Sequence, residues 1–326
     1  MLQKYPSKIP QLKTIPNITW GKNVILLEYN INCSSIISYS YLVNILSKKY
    51  KAEIVSYTLE NQKRIKNNIF WFINTYILIS TQKIFKSFGV KKFIQLKLIQ
   101  TKEVKDIYET IIQNIIKKDD ILDIKINGIL VGDLIYDSYL KKNKKATIDF
   151  DNEEFREFLI FFIKTFLFWL NYFNNNKVKS LIVSHCVYMN AIPLRIAVEN
   201  NIDSFQINAE NCHRLSKKRY FAYKEHLNYP EIFSKLDEQT KISALKESKK
   251  RLERRFSGEA GVDMRYSKIS AYGQFLNQRL IAKNSKKKIL IAAHCFSDSP
   301  HSYGKFLFPD FYEWINFLGV LSEKTN

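Results

Sequence analysis

The chain has 326 residues, of which 46% are hydrophobic and 14% aromatic, so it can form a sizeable core and about two domains of ordinary size. Its formal net charge of +20 favours an anionic partner such as a nucleotide or a phosphorylated substrate. Lysine supplies most of the 51 basic residues, which a base-composition bias in the gene would also produce, so the charge by itself does not indicate nucleic-acid binding.

The first part of the chain predicts alternating strands and helices. Short apolar runs typical of buried strands occur at residues 23–29, 52–58 and 91–98. Helical patterns occupy the intervals at residues 34–49, 62–88 and 101–117. This alternation is typical of a parallel sheet covered by helices on both faces.

Residues 126–137 form the most distinctive local pattern of this half, a turn or hairpin that leads into a helix. The longest apolar run follows at residues 155–173, where Glu157, Lys164 and Asn171 mark one narrow polar stripe at helical spacing. Its uninterrupted apolar stretches are far shorter than the roughly 20 residues that a membrane span needs. We therefore predict a buried central helix, and we assign the shorter run at residues 69–79 to the core, with a membrane surface as its alternative.

A second β-α-β unit follows. Residues 180–184 and 203–207 predict strands, and between them Asn190 can cap a helix that has Pro193 in its first turn. The chain continues as a charged helical stretch at residues 229–256, a glycine-containing break, a strand at residues 287–294 and a helix at residues 309–324.

These patterns predict an α/β fold with a Rossmann-like parallel-sheet domain at residues 1–256, a linker at residues 257–285 and the truncated beginning of a second Rossmann-like domain at residues 286–326. One strand and one helix cannot cover both faces of a sheet, so we expect the chain to end within that second domain. The four cysteines lack CxxC spacing and the N-terminus lacks a signal-peptide core, which predicts a cytoplasmic protein.

Ligands of open parallel sheets bind beyond the carboxyl ends of the strands, which selects the candidate site residues. In chain order these are Glu28, Asn30, His185, Glu210, Asn211, His213, His294, Asp298 and His301.

Several chemistries are open to these residues. His185 is a candidate general base or phosphate contact, with Glu28 and Glu210 as rival bases, although each of them is also typical of an ordinary hydrogen-bonded loop. His213 and Arg214 begin a cationic cluster that can hold a phosphate or form a solvated surface.

His294 and His301, seven residues apart with Asp298 between them, resemble a metal site only weakly, and no metal is expected. The sequence has no GxGxxG after the first strand, no Walker motif and no GxSxG elbow, which disfavours nicotinamide enzymes, P-loop kinases and ordinary serine hydrolases.

Three stretches, at residues 128–137, 184–188 and 294–314, resemble bacterial capsule and lipopolysaccharide biosynthesis proteins of the GT-B glycosyltransferase type. The resemblance implies two facing Rossmann-like domains, with the glycan acceptor on the first and the nucleotide-sugar on the second.

The resemblance also implies roles for individual residues. It makes His185 the catalytic base with Glu210 as its rival, adds Asp133 to the substrate-binding residues, and places His294, Asp298 and His301 on the donor side. The nucleotide-sugar is then a substrate and no cofactor is expected. The partners implied are the donor, the acceptor and a peripheral contact with the inner face of the membrane, and no nucleic acid is expected.

Other functions remain open at this level. The chain could be a non-catalytic remnant or scaffold of the same pathway, a basic nucleic-acid-binding protein, or a metal-dependent hydrolase built on His294 and His301. Nothing in the sequence specifies the donor sugar or the acceptor.

Overall fold

The computed structural model describes residues 22–30, 33–58, 81–208, 211–220, 228–262, 267–270, 272, 283, 285, 288–302, 304 and 306–324. The chain divides into two compact units, one formed by residues 1–223 together with 293–326 and the other by residues 224–292. The domain boundaries given above stay predictions.

The first unit contains a six-stranded sheet and a small hairpin. The strands are β1 (Val24–Glu28), β2 (Glu53–Tyr57), β3 (Val90–Ile94), β4 (Lys125–Ile126), β5 (Ile129–Leu130), β6 (Val178–Val183), β7 (Asp203–Ile207) and β8 (Cys212–Leu215). The sheet has the order β3-β2-β1-β6-β7-β8, in which β8 is antiparallel to β7 and the other pairs are parallel. Strands β4 and β5 pair as the hairpin. This mixed, mostly parallel sheet is Rossmann-like, as the sequence predicted.

Helices cover the sheet, and the second unit contains two further helices among its described residues. In the first unit they are α1 (Cys33–Tyr50), α2 (described at residues 81–87), α3 (Lys102–Gln113), α4 (Lys118–Leu122), α5 (Gly132–Asn143), α6 (Glu153–Asn175), α7 (Ile192–Glu199) and α10 (Phe311–Lys324). In the second unit they are α8 (Tyr229–Ser234) and α9 (Glu238–Phe256).

The two faces of the sheet carry separate apolar clusters because successive strand residues point to opposite faces. Leu26 and Val55 belong to the larger cluster with α3, α5, α6 and α7, whereas Ile25 and Ile54 belong to the smaller cluster with α1 and α2. Trp169 of α6 is fully buried in the larger one. The predicted central helix is therefore confirmed. No helix among the described residues combines the length and the hydropathy that crossing a membrane requires.

The structure corrects several predicted elements. Residues 288–295 form no strand, and Ile289 and Leu290 are exposed, because an apolar run becomes a strand only beside a hydrogen-bonding neighbour, which a local pattern cannot supply. The predicted helix at residues 229–256 is interrupted between α8 and α9, where the Asp237 carboxylate accepts from the backbone N–H of Thr240 and caps α9.

Two more corrections concern the second β-α-β unit. Asn190 does not cap α7, since it lies in a short 3₁₀ turn, Met189–Ala191, and Ala191 occupies the cap position. The strand β8 was not predicted, and it includes His213 and Arg214, which were expected beyond the carboxyl end of the preceding strand. The apolar run at residues 69–79 lies outside the described residues.

Candidate functional site

The sheet has a topological switch point between β1 and β6. The chain runs from β1 through β2 to β3 on one side, and β6 then pairs with the other side of β1. In open α/β sheets such a switch point is where ligands bind, in the crevice beyond the carboxyl ends of the strands. Glu28 ends β1 and Ser184 follows β6, so both lie at this point.

The Glu28 carboxylate is buried at the switch point and held by donors from the loop after β6. Its Oε2 accepts hydrogen bonds from the backbone N–H and the hydroxyl of Ser184, the latter at 2.9 Å, and its Oε1 accepts from Asn190 Nδ2 at 3.4 Å. Burial raises the pKa of Glu28 above its ordinary value, and the hydrogen bonds from Ser184 offset part of that rise. The carboxylate thus ties together two segments that are 156 residues apart in sequence.

His185 completes a chain of three polar side chains that runs from the interior to the surface. The imidazole is exposed, and its Nδ1 lies 2.7 Å from Ser184 Oγ. Because the Ser184 hydroxyl donates its hydrogen to Glu28, it accepts from His185 Nδ1–H, which leaves the lone pair of a neutral ring on Nε2. Gln206 Nε2 fixes the same loop by donating to the Ser184 carbonyl at 2.9 Å.

Two buried tyrosines lie around this carboxylate. Tyr39 of α1 and Tyr57 of β2 are both fully buried. Burial, and next the charge of Glu28, raises the pKa of each hydroxyl well above its ordinary value. The phenols are therefore neutral, and Glu28 is the acidic group that faces Ser184 here.

Tyr188 connects the loop after β6 to Asp298. Its backbone has φ +59° and ψ −170°, a conformation that residues other than glycine rarely adopt and that is often found at functional sites. The Tyr188 hydroxyl donates to Asp298 Oδ1 at 2.6 Å, and Lys141 Nζ lies 2.7 Å from the same oxygen. The ion pair with Lys141, followed by the bond from Tyr188, lowers the pKa of Asp298. Asp298 is thereby joined to the segment that carries His185.

Two residues predicted to bind substrate, Asp133 and His301, make contacts within the chain. Asp133 pairs with the buried Arg195, whose guanidinium also donates to the Leu130 carbonyl. His301 is buried, with Nδ1 2.5 Å from Asp137 Oδ1 and Nε2 2.8 Å from the Pro309 carbonyl oxygen. Both ring nitrogens of His301 are occupied by these contacts. The sequence pattern could not anticipate this, because the partners are distant along the chain.

The remaining predicted residues are dispersed. His213 lies on β8 opposite Gln206, and burial followed by the charge of Arg219 lowers its pKa. Arg214 pairs with Asp203, the first residue of β7. Its side chain therefore lies toward the amino ends of the parallel strands, opposite to the edge that carries Glu28 and His185.

Three further predictions concern Asn30, His294 and Glu210. Asn30 is partly buried just after β1, His294 is exposed with its ring 5.8 Å from that of Phe311, and Glu210 lies outside the described residues.

Ser184 and Gln206 are not among the residues that the sequence predicted for the site, and Asn190, predicted to cap a helix, donates to Glu28. The position of Ser184 directly before His185, at the end of a predicted strand, is the one sequence feature that could have indicated it. The contacts of Gln206 and Asn190 depend on how the strands and the 3₁₀ turn pack, which the sequence pattern does not show.

Within the described part of the chain, no group of three or more histidine, cysteine or acidic side chains is arranged to hold a metal ion. Comparisons with protein-family models, with curated proteins and with solved structures give no match.

Proposed function

We propose that the protein is a glycosyltransferase-type protein of bacterial surface-polysaccharide biosynthesis, which transfers a sugar from a nucleotide-sugar to a glycan acceptor. The observation that carries the proposal is the Glu28–Ser184–His185 chain of hydrogen bonds at the switch point of a Rossmann-like sheet. It presents one exposed basic nitrogen, backed by a buried carboxylate, in the crevice where such sheets bind substrates.

In the proposed reaction His185 Nε2 accepts the proton of an acceptor hydroxyl as that oxygen attacks the anomeric carbon of the donor. The new carbon–oxygen bond forms as the bond between the anomeric carbon and the phosphate oxygen breaks, and the nucleotide leaves with the bonding electron pair. The proton makes His185 an imidazolium, which the Glu28 carboxylate stabilises through the Ser184 hydroxyl.

A glycan-binding scaffold without turnover is the second candidate. The observation that favours it is the internal engagement of Asp133 and His301, which leaves fewer polar side chains for the donor than the sequence predicted. In that case the same crevice binds the acceptor and no transfer follows.

The test measures transfer and binding with a panel of nucleotide-sugars and glycan acceptors, using the full chain. We expect His185→Gln to lower the transfer rate about 100-fold or more, since it removes a general base. Ser184→Ala removes the link between His185 and Glu28, so we expect about a tenfold loss of the transfer rate. Ser87→Ala is the matched control, because Ser87 lies shortly before β3, at the amino end of the strands.

Each outcome decides between the candidates. Glycan binding without transfer supports the scaffold. Full activity of His185→Gln contradicts the assignment of the base, and the absence of both binding and transfer across the panel contradicts the proposal as a whole.

A further inference from the structure

The helix α9 carries an apolar strip whose side chains are about half exposed; among the described residues, Tyr272 packs its ring against Phe256 at one end of the strip, with 5.1 Å between the ring centroids. Neither α8 nor α9 buries any residue. Ile242, Leu245, Leu252 and Phe256 follow one another at intervals of three, seven and four residues, so they share one side of the helix. Each of these side chains is between 49% and 59% exposed. An exposed strip of this length marks a surface that binds something.

The rest of α9 is rich in basic side chains. Its basic residues are Lys241, Lys246, Lys249, Lys250, Arg251, Arg254 and Arg255. The acidic residues of the helix are Glu238, Glu247 and Glu253, so the positive charge is in excess. Lys249 falls inside the strip, where a lysine can lay its aliphatic stem along an apolar surface and keep its ammonium group in a polar layer.

We propose that α9 binds an anionic lipid surface, lying in the plane of the interface with the apolar strip toward the acyl chains. A helix with one apolar side and a lysine- and arginine-rich remainder is the form that binds such surfaces, because anionic headgroups attract the basic side chains. At 19 residues the helix is about 28 Å long and is suited to lying along the surface.

The same observations disfavour the other occupants. A second copy of α9 would bring Lys249 and the other basic side chains against their own counterparts, which is repulsive. A nucleic acid would be attracted by the charge but would leave the apolar strip without a partner.

The preceding helix α8 also exposes apolar side chains. Its Tyr229, Ile232 and Phe233 are exposed, and a tyrosine with apolar neighbours is typical of segments that reside at a membrane interface. The inference does not depend on glycosyl transfer, because it concerns binding to lipid alone.

Co-sedimentation of the full chain with vesicles tests the proposal. We expect binding to vesicles of phosphatidylglycerol mixed with phosphatidylcholine, and at least tenfold weaker binding to phosphatidylcholine alone. The double substitution Leu245→Gln and Leu252→Gln should lower the partition coefficient at least tenfold. The pair Lys246→Gln and Lys250→Gln should weaken binding and reduce its salt dependence.

The choice of substitutions separates binding from folding. The four altered side chains lie on a helix that buries none of its residues, and circular dichroism of each variant verifies its fold. Lys246 and Lys250 are preferred because Arg254 already pairs with Glu259. Ile116→Gln is the matched control, since Ile116 is 84% exposed but lies outside α9.

Four results would overturn the proposal. They are no binding to anionic vesicles, equal binding to both vesicle types, equal loss in the Ile116→Gln control, and a dimer in solution that the leucine substitutions dissociate. A fifth result would point to nucleic acid as the partner of the basic residues: no binding to vesicles, together with salt-dependent binding to arbitrary duplex DNA that the leucine substitutions leave unchanged.

Discussion

At the residue scale, two buried ionic contacts organise the interior of the first unit. Arg195 is buried beside Asp133, and His301 is buried beside Asp137. A buried charge is tolerated when it is paired and hydrogen-bonded, and removal of one partner leaves the other uncompensated. These residues are therefore expected to matter for stability, whatever the substrate is.

The His301–Asp137 pair predicts a pH dependence of stability. Burial lowers the pKa of His301, but the hydrogen bond and charge of Asp137, together with the Pro309 carbonyl, outweigh it and raise the pKa above the ordinary value of 6.5. Burial also raises the pKa of Asp137. The folded state thus binds protons more tightly than the unfolded state. The contribution of the protonated pair to the free energy of unfolding is therefore complete below the pKa that His301 has in the unfolded chain, and it is lost as pH rises through the pKa that His301 has in the folded protein.

Urea unfolding of the protein and of His301→Gln between pH 5.5 and 8.5 measures this effect. The substitution should cost about 1–3 kcal/mol at pH 6, and the cost should shrink toward pH 8.5. A cost that stays constant over the whole range would show that the pair does not titrate as described.

At the element scale, the approach of α5 to α4 depends on Gly132. This glycine is the first residue of α5, and a Cβ atom placed there would lie 2.1 Å from the Ile121 carbonyl oxygen and 2.5 Å from backbone atoms of Leu122. Backbone atoms cannot move aside as a flexible side chain can. The segment at residues 126–137, prominent in the sequence, thus contains a glycine that the packing requires.

Gly132→Ala should therefore destabilise the protein by about 3 kcal/mol or more, because it forces α4 and α5 apart. Gly319→Ala in α10 is the control, since a Cβ atom there meets nothing within 4 Å and alanine is the better helix former, worth about 0.5–1 kcal/mol. Thermal unfolding of both variants is the measurement. Equal effects of the two substitutions would refute the close approach.

At the scale of the whole molecule, residues 293–326 belong to the first unit although they are distant from it in sequence. Asp310 joins the two segments. Its Oδ1 accepts from the Glu313 N–H at the start of α10, and its Oδ2 accepts from the hydroxyls of Tyr136 at 2.6 Å and Thr147 at 2.5 Å. One buried carboxylate therefore caps a helix and fastens it to α5 and the chain that follows.

Asp310→Ala should release this segment. Loss of the cap and of two hydrogen bonds to a charged group should cost about 3 kcal/mol and increase the rate at which a protease cleaves residues 293–324. Glu313→Gln is the control, because its ion pair with Lys118 is partly exposed and worth less than about 1 kcal/mol. Limited proteolysis with mass spectrometry reads out the cleavage site. Unchanged cleavage in Asp310→Ala would contradict the role of this carboxylate.

The sequence by itself determined the fold class and most of the parallel strands of the sheet. Apolar runs bounded by polar loops gave β1, β2, β6 and β7, and the helical spacing of apolar residues gave α3 and the buried α6. These signals are local, since they depend on the two-residue period of a strand and the 3.6-residue period of a helix. The same local reasoning placed Glu28 and His185 after strand ends.

Only the tertiary structure decided which of those residues meet. Ser184 joins Glu28 to His185 across 156 residues, Asp137 and Asp133 turn inward to His301 and Arg195, and no strand forms at residues 288–295. The physical reason is that a hydrogen bond or an ion pair between distant segments requires both partners to be positioned by packing. A pattern within one segment carries no information about the other.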